Sequence, residues 1–364
     1  MKRLTLLLLL VFVSFIWNIN ARAFDVDFSS DSESDEELVT YQVIANKPLN
    51  IISSDDDSQN AYKLGQVGGL AACVKNPNRL IVFHRASREW TQESFPDGRN
   101  FDKSKFDVIP ENTVITINTR TGQIVNQWGN KTFYMPHGLS IDTEGNHWLT
   151  DVAMHQVFKY SHGKLVLTVG EAFVPGSDST HFCKPTDVAV SNDGSSIYVA
   201  DGYCNSRIVK LNSEGKFIKE YTMPEEEKQL VIPHSIILIE SLDLVCVADR
   251  ENGRIVCFND GQSHADDEGH IKAIIDHPSM KTVYAITYDA NKHRLYAVSG
   301  KTNKHRALGF TFSAHPESFG ELIATWEPNE KFGEPHDIAL NVNGQSLFVG
   351  EIHPNRIDLF DVLN

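Results

Sequence analysis

The chain is 364 residues long, 41% hydrophobic and 22% charged, with a formal net charge of -15. Its acidic balance, with no basic patch, argues against nucleic acid or an anionic membrane surface as a partner. Past the N-terminal region, the length suits one large core, as repeat architectures often reach that size in a single domain.

In chain order, Met1-Lys2-Arg3 precedes an apolar run from Leu4 to Trp17 and a small-residue site, Ala21-Arg22-Ala23. That arrangement predicts a cleaved signal peptide over residues 1–23, because the apolar run is too short to span a bilayer. The mature protein is therefore expected in the secretory pathway, secreted or in a granule lumen, with no membrane span. The stretch SSDSESDEEL cannot bury enough apolar surface to offset its ordering entropy. Residues 24–58 are expected to be a disordered or loosely attached acidic segment, and 59–364 the folded domain. Secretion permits disulfides among the five cysteines. Cys246 and Cys257 flank a short turn and suit a hairpin bridge, Cys183 and Cys204 share one repeat unit, and Cys73 is left over. Asn130-Lys131-Thr132 is an N-glycosylation acceptor.

An internal repeat determines the expected fold. The segments starting VGGLAACV at Val67, PHGLSIDT at Pro136, PTDVAVSN at Pro185, PHSIILIE at Pro233, VYAITYDA at Val283 and PHDIALNV at Pro335 align. Pro136, Pro185 and Pro233 begin units 49 and 48 residues apart. Each unit has an apolar strand, a turn of Asp, Gly and Asn, and a second apolar strand ending on an acid (Asp151, Asp201, Asp249 or Glu351). In the third, fourth and sixth units an Asn-Arg-type turn follows and leads into a third strand; a fourth, such as Phe217–Tyr221, fits the remainder. Four strands per unit of about 40–50 residues mark a propeller blade. The prediction is an all-β protein, a six-bladed β-propeller with four-stranded antiparallel blades resembling NHL repeats.

The first strand of each unit carries the sharpest signal. At the aligned position the six units read Gly68, His137, Thr186, His234, Tyr284 and His336. Innermost strands line a propeller's channel, so histidines on blades two, four and six stand about 120° apart and face one another. Three imidazoles with an open fourth position form the donor set of a catalytic zinc. Asp337, beside His336, is an oxygen ligand, and the backbone carbonyls of Leu70 and Leu139 lie in the same layer; together they suit calcium deeper in the channel. Asp187 occupies the position equivalent to Asp337 and competes with it.

The turns after the second strands lie at the same mouth. Arg85 and Arg250 occupy equivalent positions there and suit an anionic ligand, since a guanidinium binds a carboxylate in a bidentate manner. Tyr203, beside Cys204, lies near two cations and a metal, the setting in which a phenol ionises readily and serves as a base.

Six stretches, FYMPHGLSID, TDVAMHQVFK, FCKPTDVAV, DGYCNSRIV, VADRENGRIVCF and EPHDIA, resemble the peptidyl-α-hydroxyglycine α-amidating lyases, with the likeness running from about Gln66 to Phe360. The resemblance implies zinc on His137, His234 and His336, and calcium on Asp337 with the carbonyls of Leu70 and Leu139. It also implies an active site of Arg85, Tyr203 and Arg250, and bridges Cys183–Cys204 and Cys246–Cys257. The implied reaction splits a peptide ending in α-hydroxyglycine into a peptide amide and glyoxylate. The implied partner is a separate peptidylglycine hydroxylating monooxygenase that makes the substrate, because the chain has no room for one before Val67. Two positions depart from the family pattern: Glu334, where an apolar residue is common, and Gly350-Glu351-Ile352, where Gly-Asp-Ala is common. Two other readings differ in what they need on the axis. A calcium-dependent propeller hydrolase wants an acidic cluster there, and a non-catalytic NHL scaffold that binds a protein or peptide wants no metal.

Overall fold

Each repeat unit folds as a separate antiparallel sheet, and burial falls from the inside outward. In the second blade the strand Pro136–Ile141 is innermost, His147–Asp151 has four of its five residues buried, and Lys164–Val169 on the rim is largely exposed. Inner strands covered on both faces by neighbouring blades carry continuous apolar runs, such as Ser196–Asp201 (SIYVAD). The computed structural model describes residues 43–53, 62–263 and 265–363. It contains six four-stranded sheets arranged as a β-propeller, confirming the predicted fold. The predicted signal peptide and the stretch SSDSESDEEL lie outside the described residues. Among the described residues no helix is long and apolar enough to cross a membrane.

Apolar side chains from adjacent blades interlock to form the core. Tyr198 of the third blade packs with Phe258 of the fourth, and Trp326 of the fifth with Phe360 of the sixth. The ring closes through a strand from the N-terminal side. Val43–Pro48 pairs antiparallel with Asn355–Val362 and becomes the outermost strand of the sixth blade. Sequence composition places these residues in the loosely attached segment; the structure corrects that expectation for 43–48. The strand lies outside the repeat, so no aligned copy marks it, and it forms by covering an otherwise open edge.

The acids that end the second strands act as latches. Asp151 accepts the amides of Tyr134, Met135, Ala153 and Met154, and Asp201, Asp249 and Glu351 accept those of Cys183, Val231 and Gly333. Each of the last three also meets an arginine from the next strand, Arg207, Arg254 or Arg356, at 3.0, 2.7 and 2.7 Å. This is why the acid and the Asn-Arg turn recur together: a buried carboxylate must be paired and hydrogen-bonded. In the first blade His84 takes the same place, its Nδ1 accepting the amides of Gly65 and Ala86. The latch fixes the turn that carries Arg85.

Candidate active site and metal centre

The six aligned positions form one layer around the channel, and each histidine is oriented by the blade that follows it. Nδ1 of His137 donates to the carbonyl of Thr186 at 2.7 Å, Nδ1 of His234 to Tyr284 at 2.7 Å, and Nδ1 of His336 to Gly68 at 3.1 Å. The three acceptors are the aligned residues of blades three, five and one. Because a carbonyl only accepts, the proton sits on Nδ1, leaving each Nε2 as an acceptor with its lone pair turned to the axis. Gly68 lets the first blade approach the second: a Cβ there would lie 2.8 Å from the carbonyl oxygen of Pro136.

All three imidazoles are buried, with ring centroids 4.7–4.8 Å apart. Their ligating atoms lie within 4.8 Å of one another. Burial holds all three pKa values well below the ordinary histidine range. The charge of Arg85 adds to this at His137, and the neighbouring imidazoles at His234 and His336. Neutral imidazoles, with tautomers set by backbone carbonyls and lone pairs converging on an axis, fit a metal ion with an open coordination position.

Arg85, Tyr203 and Arg250 come together on one side of this layer. The Tyr203 hydroxyl lies 2.9 Å from Nε2 of His137 and 3.2 Å from Nε2 of His234. Arg250 lies 5.4 Å over the Tyr203 ring and 5.1 Å over the Tyr284 ring, with Nη1 3.5 Å from the Tyr203 hydroxyl. Arg85 is 2% exposed; its Nε donates to the carbonyl of Pro136 and its Nη1 to Gln66 Oε1, and its Nη2 has no partner. Burial lowers its pKa to about 10, so it remains charged at neutral pH. A buried, charged N–H without an acceptor is costly unless a ligand supplies one, and a carboxylate is the matching group.

The disulfides Cys183–Cys204 and Cys246–Cys257 are both present, and Cys73 is free. The first ties the turn carrying Tyr203 to the entrance of the third blade. The second joins directly opposed residues of the second and third strands of blade four. Asn130 is exposed, next to the strand Ile124–Trp128.

At the other end of the channel, a funnel of about 480 Å³ is lined in part by Leu70, Leu139, Asp187 and Asp337. The two carboxylates take matching positions on opposite blades. Asp187 accepts the amide of Ile236 at 3.0 Å and Asp337 that of Leu70 at 2.6 Å. Burial raises Asp187 to about 7, and burial together with the charge of Asp187 raises Asp337 well above the carboxylate range.

Several residues that shape the site carry no motif. The excursion between the strands Arg79–His84 and Val114–Asn118 folds over blades one to three as an aromatic roof. Trp90 lies 4.8 Å from the Tyr203 ring and 5.2 Å from the Arg85 guanidinium, and Gln66 Oε1 accepts from both Arg85 and the Trp90 amide. Lys184 is buried, donates to the Gly98 carbonyl at 2.5 Å, and lies 4.8 Å over Phe95 and 5.5 Å over Tyr203. A hydrogen bond from a charged donor contributes about 1.5–3 kcal/mol. Lys184→Met is therefore expected to speed proteolytic nicking within residues 96–108 by at least about tenfold, as judged by limited proteolysis of the native protein. Tyr284 occupies an aligned position, but a tyrosine there has no distinctive spacing; only the fold places it beside His234.

An NHL repeat model matches residues 182–211, in the third blade. The chain is similar to peptidyl-alpha-hydroxyglycine alpha-amidating lyase 2 of Drosophila melanogaster, at 41% identity over 297 residues, covering 81% of this chain and 70% of that one. It is 47% identical over 209 residues to the probable lyase pgal-1 of Caenorhabditis elegans, covering 56% of this chain and 58% of that one. Against the peptidylglycine alpha-amidating monooxygenase of Rattus norvegicus it is 39% identical over 317 residues, 84% of this chain but only 31% of the relative. A solved structure of Kuenenia stuttgartiensis hydrazine synthase shares the fold at a TM-score of 0.56 and 10% identity, covering 84% of this chain and 80% of that one. With this histidine layer, this arginine and tyrosine cluster, and these relatives, the chain belongs to the peptidyl-α-hydroxyglycine α-amidating lyase family.

Proposed function

We propose that this lyase cleaves peptides ending in α-hydroxyglycine to a peptide amide and glyoxylate, and that the ion held by His137, His234 and His336 is zinc. The observation that carries the reading is the convergence of three Nε2 acceptor atoms, two of them met by the Tyr203 hydroxyl, beside the unpartnered Nη2 of Arg85. Zinc bound there would supply Lewis-acid stabilisation of negative charge on oxygen.

The residues themselves account for the rest. Arg85 and Arg250 bind the substrate carboxylate and fix the carbinol carbon between them and Tyr203. Tyr203 accepts the hydroxyl proton as that oxygen forms the aldehyde C=O. The C–N bonding pair passes to the amide nitrogen, which takes a proton from Tyr203, so the phenol ends in the state in which it began. No water is consumed, and the roof shields the site from it. The test is glyoxylate release from a short α-hydroxyglycine peptide by metal-loaded protein, with and without chelator. Release no faster than the spontaneous rate would overturn the reading.

The substrate would be made by a separate peptidylglycine hydroxylating monooxygenase; the rat relative is itself named a peptidylglycine alpha-amidating monooxygenase. The signal-like N-terminus and the exposed Asn130 acceptor support action in the secretory pathway, with glycosylation at that asparagine. Calcium is the ion we assign to Asp337 and the carbonyls of Leu70 and Leu139. It is expected to raise the melting temperature more at pH 7.5 than at pH 5.5. At the lower pH the pair formed with Asp187, which titrates near 7, retains protons that the cation must displace. Equal shifts at both pH values, or an undiminished shift in Asp337→Asn, would count against the assignment.

A further inference from the structure

The aromatic roof covers the channel mouth over blades one to three, and a cavity of about 300 Å³ opens on the opposite side, with Tyr284 between it and the histidines. It lies between blades five and six and is lined by Tyr284, Gly300, Lys301, Thr302, Asn303, Glu334 and Pro335. Its floor is shared with the reaction site. The Tyr284 ring is 5.2 Å from that of His234 and 5.9 Å from that of His336, and Arg250 lies over it at 5.1 Å. Gly300 keeps this floor in place, since a Cβ there would lie 2.3 Å from the Tyr284 ring.

The polarity of the cavity is graded. Glu334 and Lys301 are both exposed, and among the described residues neither forms an ion pair. Glu334 begins the strand Glu334–Leu340 that carries His336, whereas Lys301 lies in the loop that follows the strand Arg294–Ser299. The carboxylate is therefore carried by an innermost strand and the ammonium by a loop at the edge. Around the histidines the charge is opposite, with Arg85 and Arg250 both cationic.

We propose that this cavity is the subsite for the residue preceding the hydroxyglycine, the one that becomes the amide, and that it favours a cationic side chain there. The inference rests on the lyase reading. With the substrate carboxylate on the arginines and the roof closing one side, the peptide leaves across Tyr284. The side chain of its last retained residue then crosses an aromatic face toward Glu334, the geometry for a lysine or arginine. The two ends of the substrate are sorted by sign, arginines for the carboxylate and Glu334 for the cation, which selects among peptides more than it adds affinity.

The experiment compares three otherwise identical α-hydroxyglycine peptides with arginine, leucine or glutamate before the hydroxyglycine. Wild type and Glu334→Gln are assayed by glyoxylate release, each rate referred to the leucine peptide on the same preparation. In wild type, kcat/KM for the arginine peptide is expected to exceed that for the glutamate peptide at least about tenfold, chiefly through KM, and Glu334→Gln to shrink the ratio below about threefold. Should the variant fail to fold, the wild-type ratio at low salt and at about 0.5 M salt decides, because a charge-based preference collapses on screening. Turnover of all three peptides with no arginine preference, or an unchanged ratio in the variant, overturns the subsite and leaves the lyase standing. No glyoxylate from any peptide removes the lyase reading, and the subsite with it.

Discussion

Changing His234 to alanine is expected to lower turnover about 1,000-fold or more, with the propeller still folded. His234 is one of three donors that converge on the axis, and two imidazoles leave a trigonal site incomplete. The substitution also leaves the Tyr284 carbonyl without its donor. That loss and the small void cost about 1–3 kcal/mol, which a six-bladed core tolerates. The readouts are glyoxylate release, bound metal per chain after purification, and the melting temperature. Loss of activity together with bound metal, at a melting temperature within a few degrees of wild type, supports a ligand role. Full metal content with full activity would exclude His234 from the centre.

The second large effect is expected at Tyr203. Removing only its oxygen in Tyr203→Phe is expected to lower kcat by about 10²–10⁴-fold with little change in KM, because a positioned proton-transfer group contributes that much to a rate. The ring stays, along with its contacts to Trp90 and Arg250, so the roof and the carboxylate pocket keep their shape. What disappears is the hydroxyl 2.9 Å from Nε2 of His137. The division between kcat and KM separates the roles. If Tyr203 moves the proton, kcat falls and KM holds; if it only packs, KM changes instead. A wild-type kcat in Tyr203→Phe would assign the proton transfer elsewhere.

The sequence by itself determined the number of blades, the strand order within them and the triad of facing histidines. Those features repeat, and a repeat displays its equivalent positions directly. The aligned column Gly68, His137, Thr186, His234, Tyr284, His336 predicted one layer, and each histidine indeed meets the carbonyl of the next residue in it. The acids and Asn-Arg turns were legible for the same reason. The rest was not repeated and so had no column in which to appear. The strand Val43–Pro48 follows a polar, acidic stretch and acquires its structure from the open edge of Asn355–Val362. Trp90, Gln66 and Lys184 are far apart in sequence and became part of the site only when the excursion of blade one folded over blades two and three. Tyr284 and Glu334 needed the ring to close before they could wall one cavity. Local pattern sets which strands form and which positions face the channel. What those positions touch across blade boundaries is a property of closure, and only the tertiary structure decided it.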